Sequence, residues 1–274
     1  LRGWEEQEET FQLWTRPGVL TDFRPAKRVG LGLADSLVLK EEGAEYQHGT
    51  VGDRGEDITL ATYGRVYQIT REAIINDDLS LLVGMPMKMG RAARRTIGNL
   101  VYAIFTANPN MADGVALFHA DHNNLASSGG APGVVSLGAA RAAMWTQTEK
   151  TGGAALNITP RYFIVPAALE TIATQLMRST VDPTAQKGHA TNPVAGMAEV
   201  VVDGRLDASS ATAWFLAGDP NMHDTIEVAY LDGVQEPFIE EETAWSTDGV
   251  RLKVRIDAAA KALDHRALYK NPGA

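Results

Sequence analysis

The residues best suited to chemistry lie in one short stretch, 119–124, with the sequence HADHNN. Its imidazoles and carboxylate, His119, Asp121 and His122, are groups that bind zinc, iron or manganese in proteins. Their spacing does not match the i, i+4 pair of a helical zinc motif, and no second carboxylate and histidine cluster supplies further ligands. We therefore favour a loop that the Asp and Asn side chains turn locally. A metal-dependent hydrolase using these three residues is the alternative from a different functional class.

Other catalytic patterns are weak or absent. GLGLAD, residues 30–35, is an incomplete dinucleotide-binding pattern that lacks the third glycine and joins no strand to a helix. The sequence contains no phosphate-binding G-x-x-x-x-G-K-[ST] loop and no G-x-S-x-G nucleophile elbow. It also contains no cysteine, which excludes thiol catalysis, disulfides and Cys-ligated zinc. We expect no catalytic residue, no cofactor and no bound metal, and these absences favour a structural role.

Composition and charge narrow the functional classes further. A chain of 274 residues with 45% hydrophobic residues can bury a substantial core without disulfides or metal. It has no run of about 18 apolar residues that would span a bilayer. Its net charge of −9 argues against a tightly held nucleic acid, because affinity for phosphate comes mainly from Lys and Arg. Local basic patches can still contact DNA weakly.

The segment 36–69 starts and ends with strand-like apolar residues and is rich in glycine and acid at its centre. Between residues 40 and 57, six acidic residues outnumber two basic ones. The centre has almost no aliphatic side chain to bury, and loops longer than about 12–15 residues are usually functional or disordered. The segment therefore predicts a projecting acidic β-hairpin. Its candidate contact residues are Lys40, Glu41, Glu42, Glu45, Asp53, Arg54 and Glu56.

A long amphipathic helix is predicted over residues 86–107. Apolar residues such as Met89, Ala93 and Ile97 recur on one side of it at helical spacing. A second side is cationic and carries Lys88, Arg91, Arg94 and Arg95. Such a flank is either an ordinary solvated face or a contact for acidic partners or phosphate, and the sequence leaves both open. Just before this helix, Thr70 is suited to be the N-cap of a short helix.

Residues 1–35 carry three bulky aromatics, Trp4, Phe11 and Trp14, in an acidic sequence with little periodicity. Aromatic side chains need apolar surface to cover, and we expect such a segment to find that surface on a neighbouring molecule. The pattern predicts an extended N-terminal arm.

The rest of the chain mixes helical and strand-like segments. In residues 250–256 apolar positions alternate with Arg and Lys, which is typical of a strand with one solvated face. Strands and helices do not alternate as βαβ units, so we predict an α+β fold and not a doubly wound α/β fold.

Five blocks together resemble the major capsid proteins of tailed bacteriophages, especially those encoded behind, or fused to, a prohead protease. The blocks are TVGDRGEDITLATYGRVYQITREAIINDDL, GRAARRTIGNLVYAIF, ADGVALFHADHNNL, RYFIVPAALE and AAAKALDHRALYKNPG. The resemblance covers most of the chain and implies the Hong Kong 97-type capsid fold. It makes residues 1–35 the N-terminal arm and 36–69 the extended loop. It also makes 70–122 with 235–274 the peripheral domain, 123–234 the axial domain, and the 86–107 helix the long spine helix.

The resemblance implies a structural subunit that self-assembles as hexamers and pentamers into an icosahedral shell around double-stranded DNA. The protein would be made and assembled in the bacterial host cytoplasm and end in the virion. Implied partners are the portal, the prohead protease, decoration proteins where a phage has them, and DNA held weakly and without sequence preference. No membrane contact is implied. An encapsulin-like or gene-transfer-particle shell is the alternative, since one fold can hold different cargo.

Three details of the resemblance concern individual residues. We hypothesise that Glu41, Glu42 and Glu45 pair with Arg91 and Arg95 of a neighbouring subunit. Some members of this family crosslink their subunits through a lysine in the extended loop. Lys40 is the only lysine of this loop and lies near its predicted base, so we expect no isopeptide bond. A chain that begins at Leu1 would fit the removal of a leader by proteolysis.

Overall fold

A computed structural model describes residues 2–31, 53–76, 84–148, 153–185, 190–244 and 248–274. The chain forms two compact units. Unit 1 consists of Leu1–Ala26, Ile58–Phe105 and Glu227–Lys261, and unit 2 of Lys27–Asp57, Thr106–Ile226 and Ala262–Ala274. None of the helices in the described ranges is long and apolar enough to cross a membrane.

The secondary structure is mixed, as predicted. The α-helices are α1 (Arg2–Glu5), α2 (Arg71–Ile75), α3 (Met85–Ala107), α4 (Val134–Trp145) and α5 (Glu170–Arg178). Short 3-10 helices occur at Thr10–Leu13, Ala120–His122 and Ala167–Leu169. The first six strands are β1 (Arg16–Leu20), β2 (Ala26–Leu31), β3 (Asp53–Ile58), β4 (Ala61–Thr70), β5 (Tyr162–Val165) and β6 (Glu199–Val202). The others are β7 (Trp214–Ala217), β8 (Ile226–Leu231), β9 (Phe238–Ala244), β10 (Gly249–Ala262) and β11 (Leu268–Asn271).

Unit 1 contains a five-stranded sheet with the order β1-β8-β10-β4, in which β9 also pairs with β10. In β10, Leu252, Val254 and Ile256 are buried whereas Lys253 and Arg255 are exposed, which confirms the predicted alternation. Strand β4 pairs antiparallel with β10 along its whole length. Residues 61–69, which the prediction assigned to the extended loop, therefore belong to this sheet.

Helix α3 follows its prediction closely. Its apolar side, including Met89, Ala93 and Ile97, is buried. The helix ends before Asn108, whose φ of 47° places it in the left-handed region that terminates helices. The N-cap of α2 is also confirmed, because the Thr70 hydroxyl accepts a hydrogen bond from the Ala73 amide at 3.3 Å.

The N-terminal aromatics are buried within unit 1. Trp4, Phe11 and Trp14 are 6%, 2% and 0% exposed. The Trp14 ring stacks on Phe105, with centroids 4.9 Å apart, and meets the edge of Tyr102 at 5.7 Å. The prediction that these aromatics cover a neighbouring molecule is wrong, because α3 of the same unit supplies the apolar surface they need.

Close approach of α1 to the start of α3 depends on a glycine. A Cβ atom at Gly3 would lie only 2.0 Å from the carbonyl oxygen of Met87. Any larger residue would therefore push the two helices apart, so the N-terminal segment is fitted to α3 and does not extend as a free arm over its described residues.

Unit 2 contains a four-stranded sheet with the order β11-β7-β5-β6. Its core is formed by α4, α5 and the sheet through residues such as Leu137, Phe163, Leu176, Trp214 and Leu216. Strands β2 and β3 form a separate two-stranded sheet.

The two units differ from the predicted domains at several places. The prediction placed 106–122 and 262–274 in the peripheral domain and 227–234 in the axial domain, whereas the contacts assign Thr106–Ile226 and Ala262–Ala274 to unit 2 and Glu227–Lys261 to unit 1. The last residues belong to unit 2 because β11 pairs with β7, from Leu268 opposite Ala217 to Asn271 opposite Trp214.

Candidate functional site

The cationic side of α3 divides into two pairs of residues. Lys88 and Arg95 are exposed, and neither has a hydrogen-bond or ion-pair partner among the residues that the structure describes. Arg91 forms an ion pair with Glu6 at 2.6 Å. Arg94 donates hydrogen bonds to the Trp4 carbonyl and to Gln12 Oε1, both at 2.8 Å.

Arg94 also contacts an aromatic ring, with its guanidinium 5.3 Å from the centre of the Trp4 ring. A fork of donors with two acceptors and a π face is well suited to holding a chain segment in place. Arg91 and Arg94 thus hold the N-terminal segment, whereas Lys88 and Arg95 have no partner in the described part of the chain. Arg91 is already paired with Glu6 of the same chain, and its pairing with a neighbour's loop stays a prediction.

The candidate contact residues of the acidic segment fall into three groups. Lys40, Glu41, Glu42 and Glu45 lie outside the described residues. Asp53 and Arg54 lie in β3. Glu56 is buried and accepts a hydrogen bond from the Ala112 amide at 2.7 Å. Its prediction as a contact with another molecule is therefore wrong, because its carboxylate bonds within unit 2.

The solvated face of the unit 1 sheet carries paired charges and exposed apolar side chains. Glu240 of β9 forms an ion pair with Lys253 of β10, which holds the pKa of the Glu240 carboxyl below its usual range. The Arg255 guanidinium lies 4.8 Å from the centre of the Phe238 ring. Phe238 and Val66 remain 50% and 56% exposed. Phe238 and Val66 are thus exposed apolar side chains beside charges that are satisfied within the sheet.

The three metal-binding candidates of the HADHNN loop do not converge. The His119 Nδ1 atom accepts a hydrogen bond from the Asp121 amide at 3.2 Å, and both side chains are exposed. His122 is buried, with Nδ1 3.1 Å from the Leu117 carbonyl oxygen and Nε2 2.8 Å from Asp113 Oδ2. His119 and Asp121 therefore shape the loop locally, as we favoured, and His122 belongs to a different group of residues.

That group includes His265, which no local pattern in the sequence connects with the loop. The rings of His122 and His265 stack with centroids 3.8 Å apart and an angle of 7° between their planes. Burial lowers the pKa of the His265 imidazole to about 4, so this ring is neutral at neutral pH. Burial alone would raise the pKa of the Asp113 carboxyl, but hydrogen bonds from the Val115 amide and His122 lower it overall.

Two buried amides fix the backbone around this cluster. Asn124, fully buried, donates to the Leu117 carbonyl at 2.8 Å and to the His265 carbonyl at 3.3 Å. Gln147 donates to the His122 carbonyl at 2.9 Å. The loop is thus held to the chain near His265 by hydrogen bonds that satisfy buried carbonyls. No single-sequence signal links these distant residues.

Comparison with known protein families identifies the class of protein. A family model described as phage capsid protein matches residues 55–271, which is most of the chain. The chain belongs to the phage capsid protein family. This capsid protein is accordingly a structural subunit of a virion shell and not an enzyme. The metal-dependent hydrolase considered from the sequence is wrong, since neither the family nor the geometry of the three residues supports it.

Solved capsid structures share the fold of this capsid protein. The capsid of Myoviridae phage XM1 aligns with a TM-score of 0.60 and 9% identity, covering 94% of this chain and 90% of that one. The capsid of cyanophage P-SCSP1u aligns with a TM-score of 0.61 and 12% identity, covering 96% of this chain and 88% of that one. The capsid of an empty GTA particle aligns with a TM-score of 0.64 and 9% identity, covering 97% of this chain and 91% of that one. A search of curated protein sequences finds no significant match.

These alignments confirm the Hong Kong 97-type capsid fold that the sequence blocks implied. Identities of 9–12% establish the fold alone, because the same architecture can carry different cargo.

Proposed function

We propose that this capsid protein is the major head subunit of a tailed phage and forms an icosahedral shell of hexamers and pentamers around double-stranded DNA. The observation that carries the proposal is the family match over residues 55–271. The proposal includes assembly in the bacterial cytoplasm, with a portal and a prohead protease as partners. Contact with DNA would be weak and independent of sequence, since the net charge is −9 and phosphate affinity depends on basic residues.

In this proposal unit 1 is the peripheral domain and α3 its spine helix, whereas Thr106–Ile226 and Ala262–Ala274 of unit 2 are the axial domain. The extended loop then consists of the residues between β2 and β3 together with those two strands. This division supports the proposal physically, because each unit has its own sheet and apolar core and can present separate surfaces to different neighbours.

We further propose that the acidic loop residues Glu41, Glu42 and Glu45 contact Lys88 and Arg95 of a neighbouring subunit. The support is that these two cations are exposed and unoccupied among the described residues, whereas Arg91 and Arg94 are bound to the N-terminal segment. Complementary charges of this kind favour correct register and fast association more than affinity.

Charge reversal tests this contact. We expect the triple substitution Glu41→Lys, Glu42→Lys, Glu45→Lys to reduce shell yield at least about tenfold, since like charges would then meet. Adding Lys88→Glu and Arg95→Glu should restore the yield, which sedimentation and negative-stain microscopy can measure. Arg91→Glu in their place is the matched control and should not restore it. Normal shells from the triple variant would exclude the contact.

The same two cations could instead face packaged DNA. In that case Lys88→Glu with Arg95→Glu, in an otherwise unchanged chain, would give normal shells that retain less DNA at raised salt. A reduced yield of shells, with normal DNA content in the shells that do form, supports the contact between subunits.

A gene-transfer particle is the second candidate, favoured by the likeness to the GTA capsid with its TM-score of 0.64. The length of the packaged DNA distinguishes the two. A single discrete length that maps to one phage genome supports a phage head, and random host fragments support a gene-transfer particle.

A further inference from the structure

Strand β4 is a long edge strand with little protection against pairing. Within the described residues it pairs with β10 alone, in one unbroken antiparallel register over residues 61–70. Its sequence contains no proline and one charged residue, Arg65. Backbone N–H and C=O groups along such an edge can bond to a further strand, and most proteins block them with prolines, several charges or a bulge. The edge of β4 that faces away from β10 is therefore suited to receive another strand.

A groove lies between this strand and α3. Pairing with β10 puts Tyr63 and Tyr67 opposite the buried residues Ile256 and Leu252, on the core face of the sheet. Both tyrosines are only half-buried, and they line the groove together with small side chains of α3. These α3 side chains are Ala92, Ala93 and Thr96. A strand added to the edge would direct every second side chain towards this groove, as in complexes where an extended segment lengthens a sheet.

Two copies of β4 can pair antiparallel about a twofold axis perpendicular to the sheet. Such an axis carries each face of the sheet onto itself, so residues that lie opposite each other must belong to the same face. Because the faces alternate along a strand, one residue must then face its own copy across the axis. A strand over 61–70 overlaps with its copy most fully when that residue is Arg65 or Val66. Arg65 is excluded, because like charges directly opposite each other are destabilising.

With Val66 at the axis, the pairs across the two strands are compatible. Val66 lies on the solvated face and is 56% exposed, so it can meet its own copy. The other opposed pairs are Tyr63 with Ile69, Thr62 with Thr70, Arg65 with Tyr67 and Gly64 with Gln68. Aromatic side chains opposite β-branched ones, and Thr opposite Thr, stabilise sheets, and a tyrosine ring can accept a guanidinium. None of these pairs joins like charges.

We propose that β4 joins two copies of this chain edge to edge about a twofold axis at Val66, so that the unit 1 sheet continues from one subunit into the next. This contact rests on the proposed function, because a shell brings many copies side by side. The same residues meet from both sides, whereas neighbours within a five- or six-membered ring meet head to tail. The contact therefore joins subunits of neighbouring rings.

Disulfide trapping tests this contact directly, since the chain contains no cysteine. In Val66→Cys the two opposed Cα atoms lie about 4.5–5.5 Å apart, which is within the span of a disulfide. We expect most subunits of oxidised particles to run as covalent dimers on a non-reducing denaturing gel. Gln68→Cys is the matched control on the same strand and the same face. Its two copies would lie about 13 Å apart along the strands, so it should stay monomeric.

Charge variants test the same contact without a covalent bond. Val66→Lys alone, and Val66→Glu alone, put like charges opposite each other and should each reduce the yield of shells at least about tenfold. An equal mixture of the two variants should restore the yield, because Lys then faces Glu across the axis. Position 66 is more than half exposed, so each variant should fold as the parent does, which circular dichroism checks.

Microscopy of the same samples separates this contact from the proposed function. Shells of Val66→Cys without covalent dimers would overturn the contact and leave the shell function standing, whereas dimers without shells would do the reverse. Neither shells nor dimers would overturn both. Equal crosslinking of Val66→Cys and Gln68→Cys would contradict the register. A Val66→Cys thiol that shells protect from maleimide without crosslinking would show that another segment covers the edge, which also overturns the proposal.

Discussion

At the scale of single residues, Trp14 anchors the N-terminal segment to α3. It is fully buried, its ring stacks on Phe105, and the edge of Tyr102 closes the group. Aromatic pairs of this geometry contribute about 0.5–1.5 kcal/mol beyond the burial of their area. The segment is therefore part of the folded unit and not an appendage that folds only against a partner.

Truncating this residue should destabilise the isolated subunit. We expect Trp14→Ala to lower the free energy of unfolding by about 3–5 kcal/mol, because it leaves a cavity against α3. Leu13→Ala is the matched control, since Leu13 is 48% exposed at the end of the 3-10 helix that directly precedes Trp14, and it should cost less than about 1 kcal/mol. Urea denaturation of unassembled protein measures both. If both variants lowered the free energy of unfolding by the same small amount, Trp14 would not be part of the core of the isolated subunit and would instead cover a neighbouring subunit.

Tyr230 predicts a pH dependence of stability. Burial raises the pKa of its hydroxyl to about 12, against a usual value of about 10. Between these values the unfolded chain loses the proton and the folded chain keeps it, so ionisation favours unfolding. Stability from this group is fully present below about pH 10 and falls by about 3 kcal/mol as the pH approaches 12.

The matched variant for this effect is Tyr230→Phe. The difference in unfolding free energy between parent and variant should be constant below about pH 10 and should shrink as the pH rises towards 12. The ionisation of the other tyrosines affects parent and variant equally and therefore cancels in this difference. Parallel curves over the whole range would show that the Tyr230 hydroxyl ionises as freely in the folded protein as in the unfolded chain.

At the scale of elements, the attachment of the N-terminal segment to α3 depends on Arg94 more than on Arg91. Arg94 donates to the Trp4 carbonyl and to Gln12, whereas Arg91 makes an ion pair with Glu6 in which both side chains are over two fifths exposed. Exposed pairs of that kind contribute only about 0–1 kcal/mol. A buried carbonyl that loses its donor costs about 1–3 kcal/mol.

We therefore expect Arg94→Ala to loosen residues 2–14 and to speed their amide hydrogen exchange about tenfold or more. Arg95→Ala is the control, because Arg95 is the exposed neighbour without a partner in the described ranges, and it should leave the exchange unchanged. Mass spectrometry of the exchanged protein provides the comparison. Unaltered exchange in Arg94→Ala would contradict the assigned role.

Local patterns in the sequence were sufficient to predict some of these elements. The period of α3, the Thr70 cap and the alternation in β10 each depend on residues within a few positions of one another. The burial of Trp14, the stacking of His122 on His265 and the pairing of β11 with β7 join residues far apart in the chain. No periodicity encodes such pairings, so the sequence could not assign the aromatics, the histidine cluster or the unit containing residues 262–274.

At the scale of the whole molecule, the chain has the properties of a building block. Its two units each bury a core, and within the described residues the alternative metal ligands of the loop, His119, Asp121 and His122, do not converge. We propose that contacts with other subunits involve the exposed cations of α3 and the solvated sheet face with Phe238 and Val66. Specific interfaces bury about 1,600 Å² in total, so a subunit with several neighbours needs more than one surface of this kind.

Cryo-electron microscopy of particles purified from an expressing host tests the central claim most directly. The account predicts closed icosahedral shells with fivefold and sixfold capsomers, into which the two units fit as separate bodies, with α3 in the peripheral layer. A protein that stays a monomer or a small oligomer under conditions where the chain is folded would contradict the claim that it assembles into a phage head.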